Sequence, residues 1–126
     1  MKKLTKAEEP IMQCIWQLKK ATVGQIRTCL ADGNEENKPA HSTISTLLRI
    51  LMQKGFLGHK AYGRTFEYFP LVTKKAYKKS SLQNLVSNYF DGSMNSLVSF
   101  LVKEENINEA ELKSLLDNYN DQKNKQ

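Results

Sequence analysis

At 126 residues the chain has room for one compact domain, or for a small domain with an attached oligomerisation arm, and this excludes a large multidomain enzyme. The net charge of +6 is uneven: residues 1–79 hold 15 Lys/Arg against 6 Asp/Glu, a balance of +9, whereas residues 80–126 hold 4 against 7, a balance of −3. The first part is suited to a polyanion such as nucleic acid, and the second has no electrostatic reason to meet one.

Thr5 and Glu8 have the spacing of a capping box, predicting a first helix from near Lys6 to about Lys19 with Ile11, Met12, Ile15, Trp16 and Leu18 inward. Pro10, just past the first turn, should distort it slightly. Thr22 and Gln25 repeat the signal for a second helix with Ile26, Cys29 and Leu30 inward, stopped by Asp32-Gly33-Asn34. The polar run from Gly33 to Pro39 reads as a flexible connection.

A third helix follows, with Ser42 as its expected cap and Ile44, Leu47, Leu48 and Leu51 at the spacing of a buried face. At about 100° per residue, Ser42, Thr46, Arg49 and Gln53 fall on the opposite side, flanked by Thr43, Ser45 and Ile50. That outer face carries no carboxylate. Gly55 ends the helix, and the pattern becomes strand-like over 56–61 and 65–70, with Phe66 and Tyr68 on one face and Thr65 and Glu67 on the other. Gly63 supplies the positive φ of a tight hairpin, with Lys60 and Arg64 flanking its tip.

Beyond Thr73 the chain reads as helix. Leu82, Leu85, Val86 and Tyr89 form one stripe, Asp91-Gly92 breaks it, and Ser93 caps a segment carrying Met94, Leu97, Val98 and Leu101. Asn108 with Glu111 caps the last, with Leu112, Leu115, Leu116 and Tyr119 inward, and the tail from Asp121 to Gln126 looks disordered. The expected architecture is mainly α with a small β-hairpin wing. A winged helix-turn-helix DNA-binding domain over 1–72 is followed by a helical dimerisation region over 73–126.

A helix with short outer side chains can sink into the major groove, about 12 Å wide. Ser42, Thr43, Ser45 and Thr46 are its candidate contacts to phosphates and base edges, and Arg49 is the strong bidentate donor to guanine. Lys60, Arg64 and His59 on the hairpin would meet phosphates or lie along the minor groove; Lys2, Lys3, Lys6 and the cluster Lys74, Lys75, Lys78 and Lys79 are further backbone candidates. The C-terminal helices offer more apolar face than a thin layer covers internally, which favours a homodimer through Leu85, Tyr89, Leu97, Leu101, Leu112, Leu115 and Leu116.

Cys14 and Cys29 lie within apolar helical patterns without metal-ligand spacing and read as structural thiols in a reducing compartment. No metal or cofactor is expected. No apolar run approaches the roughly 18 residues of a membrane span, and Met1-Lys2-Lys3-Leu4-Thr5 leads into a helix instead of a signal-peptide apolar stretch. The expectation is a cytoplasmic protein without membrane insertion. No catalytic motif is present, so an enzyme is not expected. The alternative is a winged-helix protein-interaction module without sequence-specific DNA binding.

Four motifs in order, Leu4-Thr5-Lys6-Ala7-Glu8 with Ile15-Trp16, Thr43-Ile44-Ser45-Thr46-Leu47-Leu48, Lys54-Gly55, and Gly63-Arg64-Thr65-Phe66-Glu67-Tyr68-Phe69-Pro70, resemble the penicillinase-repressor family of bacterial regulators, the BlaI/MecI type. Gly92-Ser93 with Leu97-Val98 and Phe100 also fits. The resemblance implies a dimeric winged-helix repressor on a palindromic double-stranded DNA operator, relieved in some members when a membrane metalloprotease sensor leads to a cut in the C-terminal part. By similarity the cut would fall at Ser99-Phe100. This chain departs from the family at Ser99, where the best-known members have Asn, at Ile50, where many have Arg, and at Ser45, where some carry a long side chain. It lacks the paired C-terminal cysteines of copper-responsive relatives.

Overall fold

The computed structural model describes residues 2–104, 107–108, 110–114 and 117. Its elements are α1 (Glu8–Leu18), α2 (Val23–Ala31), a 3-10 turn (Glu35–Asn37), α3 (His41–Gln53), β1 (Leu57–Tyr62), β2 (Thr65–Pro70), α4 (Lys74–Tyr89) and α5 (Met94–Glu104). Two compact units result, Met1–Ser80 and Ser81–Gln126, and their division falls inside α4.

In the first unit α1 begins at Glu8, not near Lys6, because Thr5 and Glu8 close a separate turn ahead of the regular helix. The Thr5 N–H donates to Glu8 Oε1 at 2.8 Å, the Glu8 N–H donates to Thr5 Oγ1 at 3.3 Å, and the Thr5 carbonyl takes the N–H groups of Glu8 and Glu9. Pro10 consequently lies in the first turn, where its missing N–H would have no helical partner in any case. The Thr22–Gln25 capping box at α2 forms in full.

Helix α3 starts at His41 with Ala40 as its cap residue, so Ser42 lies inside the first turn and caps nothing. The connection before it is ordered by the 3-10 turn, with Asn34 Oδ1 accepting the Glu36 N–H, and by Arg27, whose Nε donates to the Pro39 carbonyl at 2.8 Å.

The core is the inward stripe of each helix closed by the hairpin: Ile11, Met12 and Ile15, then Ile26, then Ile44, Leu48 and Leu51, with Leu4, Phe56, Leu57 and Tyr68. Trp16 is half-buried, donating from Nε1 to the Val72 carbonyl at 2.8 Å and packing on Tyr77. Leu18 departs from its expected inward place and is 41% exposed, since it is the last residue of α1, where the helical stripe runs past the core. Tyr77 also meets Phe56, and its hydroxyl accepts the Leu4 N–H at 3.0 Å. These contacts hold the start of α4 in the first unit.

The cysteines overturn the free-thiol reading: Cys14 of α1 and Cys29 of α2 are joined in a disulfide, with Cα atoms 6.1 Å apart, an ordinary span for such a bridge. Helical periodicity places each thiol on an apolar face but says nothing of which face it meets. Only the packing of α1 on α2 brings the two together.

Glu8 is buried and bonded to Lys54, the residue that ends α3, through Oε1 and Nζ at 2.6 Å. Burial pushes its carboxyl up, but the Lys54 and Thr5 hydrogen bonds and the Lys54 charge outweigh this and hold it below its ordinary value of 4.5. A depressed carboxyl contributes stability that is present above the unfolded value and lost as pH falls through the folded one. Urea unfolding followed from neutral pH downward should therefore show a stability decline setting in below about pH 4.5, and Glu8→Gln should flatten it.

The hairpin pairs Leu57 with Pro70 through to Tyr62 with Thr65, leaving Gly63-Arg64 as a two-residue turn. Gly63 has φ +62°, positive at the first turn position as in a II′ turn. Tyr68 is buried and Phe66 lies on its face, with Thr65 and Glu67 opposite. Ala21 bridges Tyr68 through two backbone hydrogen bonds of 2.8 and 2.9 Å, adding a third short strand segment beside β2.

In the second unit Asp91 and Gly92 both take positive φ, and the Ser93 hydroxyl accepts the Ser96 N–H at the start of α5. Asn108 Oδ1 accepts the Ala110 N–H, and residues 110–114 are helical. Val86 and Leu112 are buried, and the rings of Phe90 and Phe100 stand 5.7 Å apart.

Candidate nucleic-acid interface

The outer side of α3 is open. Ser42, Thr43, Thr46, Arg49 and Gln53 are exposed, Ser45 and Ile50 are half-buried, and no carboxylate lies among them. The geometry follows from the inner stripe: with Ile44, Leu48 and Leu51 fixed in the core, the helical repeat leaves the short polar side chains outward. Thr46 donates its hydroxyl to the Ser42 carbonyl at 3.0 Å, so its methyl and lone pairs remain for a partner. Ser45 Oγ lies 3.4 Å from Nδ1 of His41, an exposed residue at the helix start that pattern reading passed over because it seeks a capping residue there and histidine is not one.

On the hairpin, Arg64 occupies the turn and Lys60 projects from β1, both exposed. Lys60 pairs in register with Glu67, and its ammonium lies 5.4 Å from the centre of the Tyr62 ring. The Glu67 carboxylate lies within 3.9 Å of the Lys20 ammonium. His59 lies on the other face, its ring 5.3 Å from Phe66 and 6.2 Å from Tyr68, and is not aligned with Lys60. A Cβ at Gly58 would come within 2.7 Å of the tip of the Phe69 ring, so a side chain there requires that ring to move.

Of the remaining candidates, Lys74, Lys75 and Lys78 are exposed at the start of α4, which has no acidic residue in its first turn. In the second unit Leu85, Tyr89 at 77% and Phe100 at 45% are exposed, Ser99 is exposed, and Leu97 and Leu101 are half-buried. Leu112 is already covered within its own chain. Leu115, Leu116, Tyr119 and the tail lie outside the described residues. Among the described residues no cluster could hold a metal ion, and no helix is long and apolar enough to cross a membrane.

Three helices, a polar third helix and a hairpin carrying Lys60 and Arg64 define a winged helix-turn-helix protein. The penicillinase repressor family model matches residues 4–120, and the chain belongs to that family. The methicillin resistance regulatory protein MecI of Staphylococcus aureus is 29% identical over 112 residues, covering 89% of each chain. The penicillinase repressor of Bacillus licheniformis is 24% identical over 122 residues, 97% of this chain and 93% of its own. The solution structure of the DNA binding domain of the repressor BlaI matches with a TM-score of 0.50 and 30% identity, covering 61% of this chain and 94% of that one.

Proposed function

We propose that the protein is a transcriptional repressor that binds a palindromic double-stranded DNA operator as a homodimer. The exposed, carboxylate-free outer side of α3 carries this reading, and kinship with named repressors supports it. Ser42, Thr43, Ser45 and Thr46 reach phosphates and base edges, and Arg49 reads guanine. Lys60 and Arg64 grip the backbone beside the groove. The helical region after the wing joins two copies through Leu85, Tyr89, Leu97 and Leu101, with Leu112 acting from within its own chain. Pairing sets the recognition helices one DNA turn apart, about 34 to 36 Å, or a multiple of it.

Release by a cut between Ser99 and Phe100, under a membrane metalloprotease sensor, belongs to the same proposal. Both residues are exposed, but they lie within α5. A protease needs extended backbone, so cutting there proceeds through local opening of α5 and its rate follows the open population.

Two substitutions separate reading from gripping. Arg49→Ala should cost about 1 to 3 kcal/mol on operator DNA and relax preference at one base pair. Lys60→Ala should weaken binding to all duplexes alike and reduce the slope of log affinity against log salt by roughly 0.9. Titrations of both variants on operator and random duplex at several salt concentrations check this; equal losses on both duplexes for Arg49→Ala would remove it as a base reader.

A further inference from the structure

The first turn of α3 presents an exposed imidazole already bonded to a residue of the outer face: His41 Nδ1 and Ser45 Oγ lie 3.4 Å apart, one helical turn along the same side. A serine hydroxyl has one hydrogen to give and two lone pairs that accept, and a bare imidazole nitrogen can only accept. In the neutral tautomer that carries its hydrogen on Nε2, Nδ1 is bare, and Ser45 spends its hydrogen on the ring and offers acceptor lone pairs outward. With the ring protonated, both nitrogens carry hydrogen, Nδ1–H donates to Ser45 Oγ, and the Ser45 hydrogen is released to an outside acceptor. Thr46 has no such freedom, since its hydroxyl is held by the Ser42 carbonyl.

Imidazole is the side chain whose ordinary titration falls between about pH 5 and 8. Of the charged groups on α2 and on the segment leading into α3, Arg27 donates to the Pro39 carbonyl, and Lys38 pairs with Glu35 at 3.6 Å. Arg49 stands about two turns further along α3, and the first turn itself holds no carboxylate. Major-groove edges divide along the same chemical line. The amino groups of adenine and cytosine donate, whereas guanine O6 and N7 and thymine O4 accept.

We propose that His41 sets the hydrogen-bonding polarity of Ser45, so that the base preferred at one operator position changes with protonation of the imidazole. This rests on α3 being the DNA-reading helix. His41 is a positioning residue acting through Ser45.

The test uses the full-length protein and a pool of short random-sequence duplexes, with bound fractions sequenced at pH 6 and pH 8 at constant salt. At one position, preference should shift about five- to ten-fold between donor-bearing and acceptor-only edges, the size of one neutral hydrogen bond gained or lost. His41→Ala and Ser45→Ala should each abolish that shift and leave other positions ordered as before. Identical wild-type preferences at both pH values, or a shift that survives either substitution, would overturn the proposal. Binding without base preference at either pH would overturn the DNA-reading assignment itself, and the proposal with it.

Discussion

Lys54→Met is expected to cost about 3 kcal/mol of folding stability, measured by urea unfolding at neutral pH. The substitution keeps the apolar stem and removes the ammonium, leaving the Glu8 carboxylate with a side chain only 2% exposed and without its cation. Breaking a buried pair from one side costs about 3 to 5 kcal/mol. The lower end applies because Lys54 keeps 20% of its side chain in water and the Thr5 N–H still donates to Glu8 Oε1. Glu8→Leu combined with Lys54→Met should recover most of the loss, since the pair as a whole contributes far less than the penalty of orphaning one member. The contact fastens the end of α3 to the start of α1, so a loss under about 1 kcal/mol would mean that water reaches Glu8 freely.

That pair also marks the boundary of what the residues disclose before folding. Glu8 is legible as a helix-start carboxylate and Lys54 as a helix-end cation, but 46 positions separate them and no local pattern joins them. The Cys14–Cys29 bridge is invisible for the same reason. Local rules did place the helices, the hairpin and the outer side of α3, because each follows from a period of 3.6 or 2 and from glycines at Gly55 and Gly63, but they set the first strand one residue early, at 56–61, where the pairing runs over Leu57–Tyr62. They misplaced the start of α3, since Ala40 offers no capping side chain and Ser42 does. His41 was passed over because its significance lies in a partner one turn away.

Ending the chain after Val98 should lower affinity for a two-half-site operator by about 10² to 10⁴, while affinity for a single half-site stays near that of the intact protein. The first unit holds the large core of α1, α2, α3 and the hairpin, and every proposed base contact lies within it. The loss comes from geometry: with two copies joined, the second half-site is met at the effective concentration set by the first, and separated copies forfeit that gain. Leu85, Tyr89 and Leu97 remain in the shortened chain, but Leu101 is removed with the rest of α5, and Leu112 beyond it is removed as well. Sedimentation of both proteins alongside the titrations ties affinity to assembly. Full operator affinity in a monomeric truncated protein would remove the homodimer from the proposed mechanism.

The outer side of α3 as a reader of base sequence is tested most directly by titrating the full-length protein against duplex fragments from the region upstream of its own gene and against random duplex of equal length, at near-physiological salt. Specific binding predicts one fragment held about 10³-fold or more tighter than random DNA, with Arg49→Ala eroding that ratio. Equal affinity for every fragment and for random duplex would contradict it and leave a winged-helix module that meets other partners.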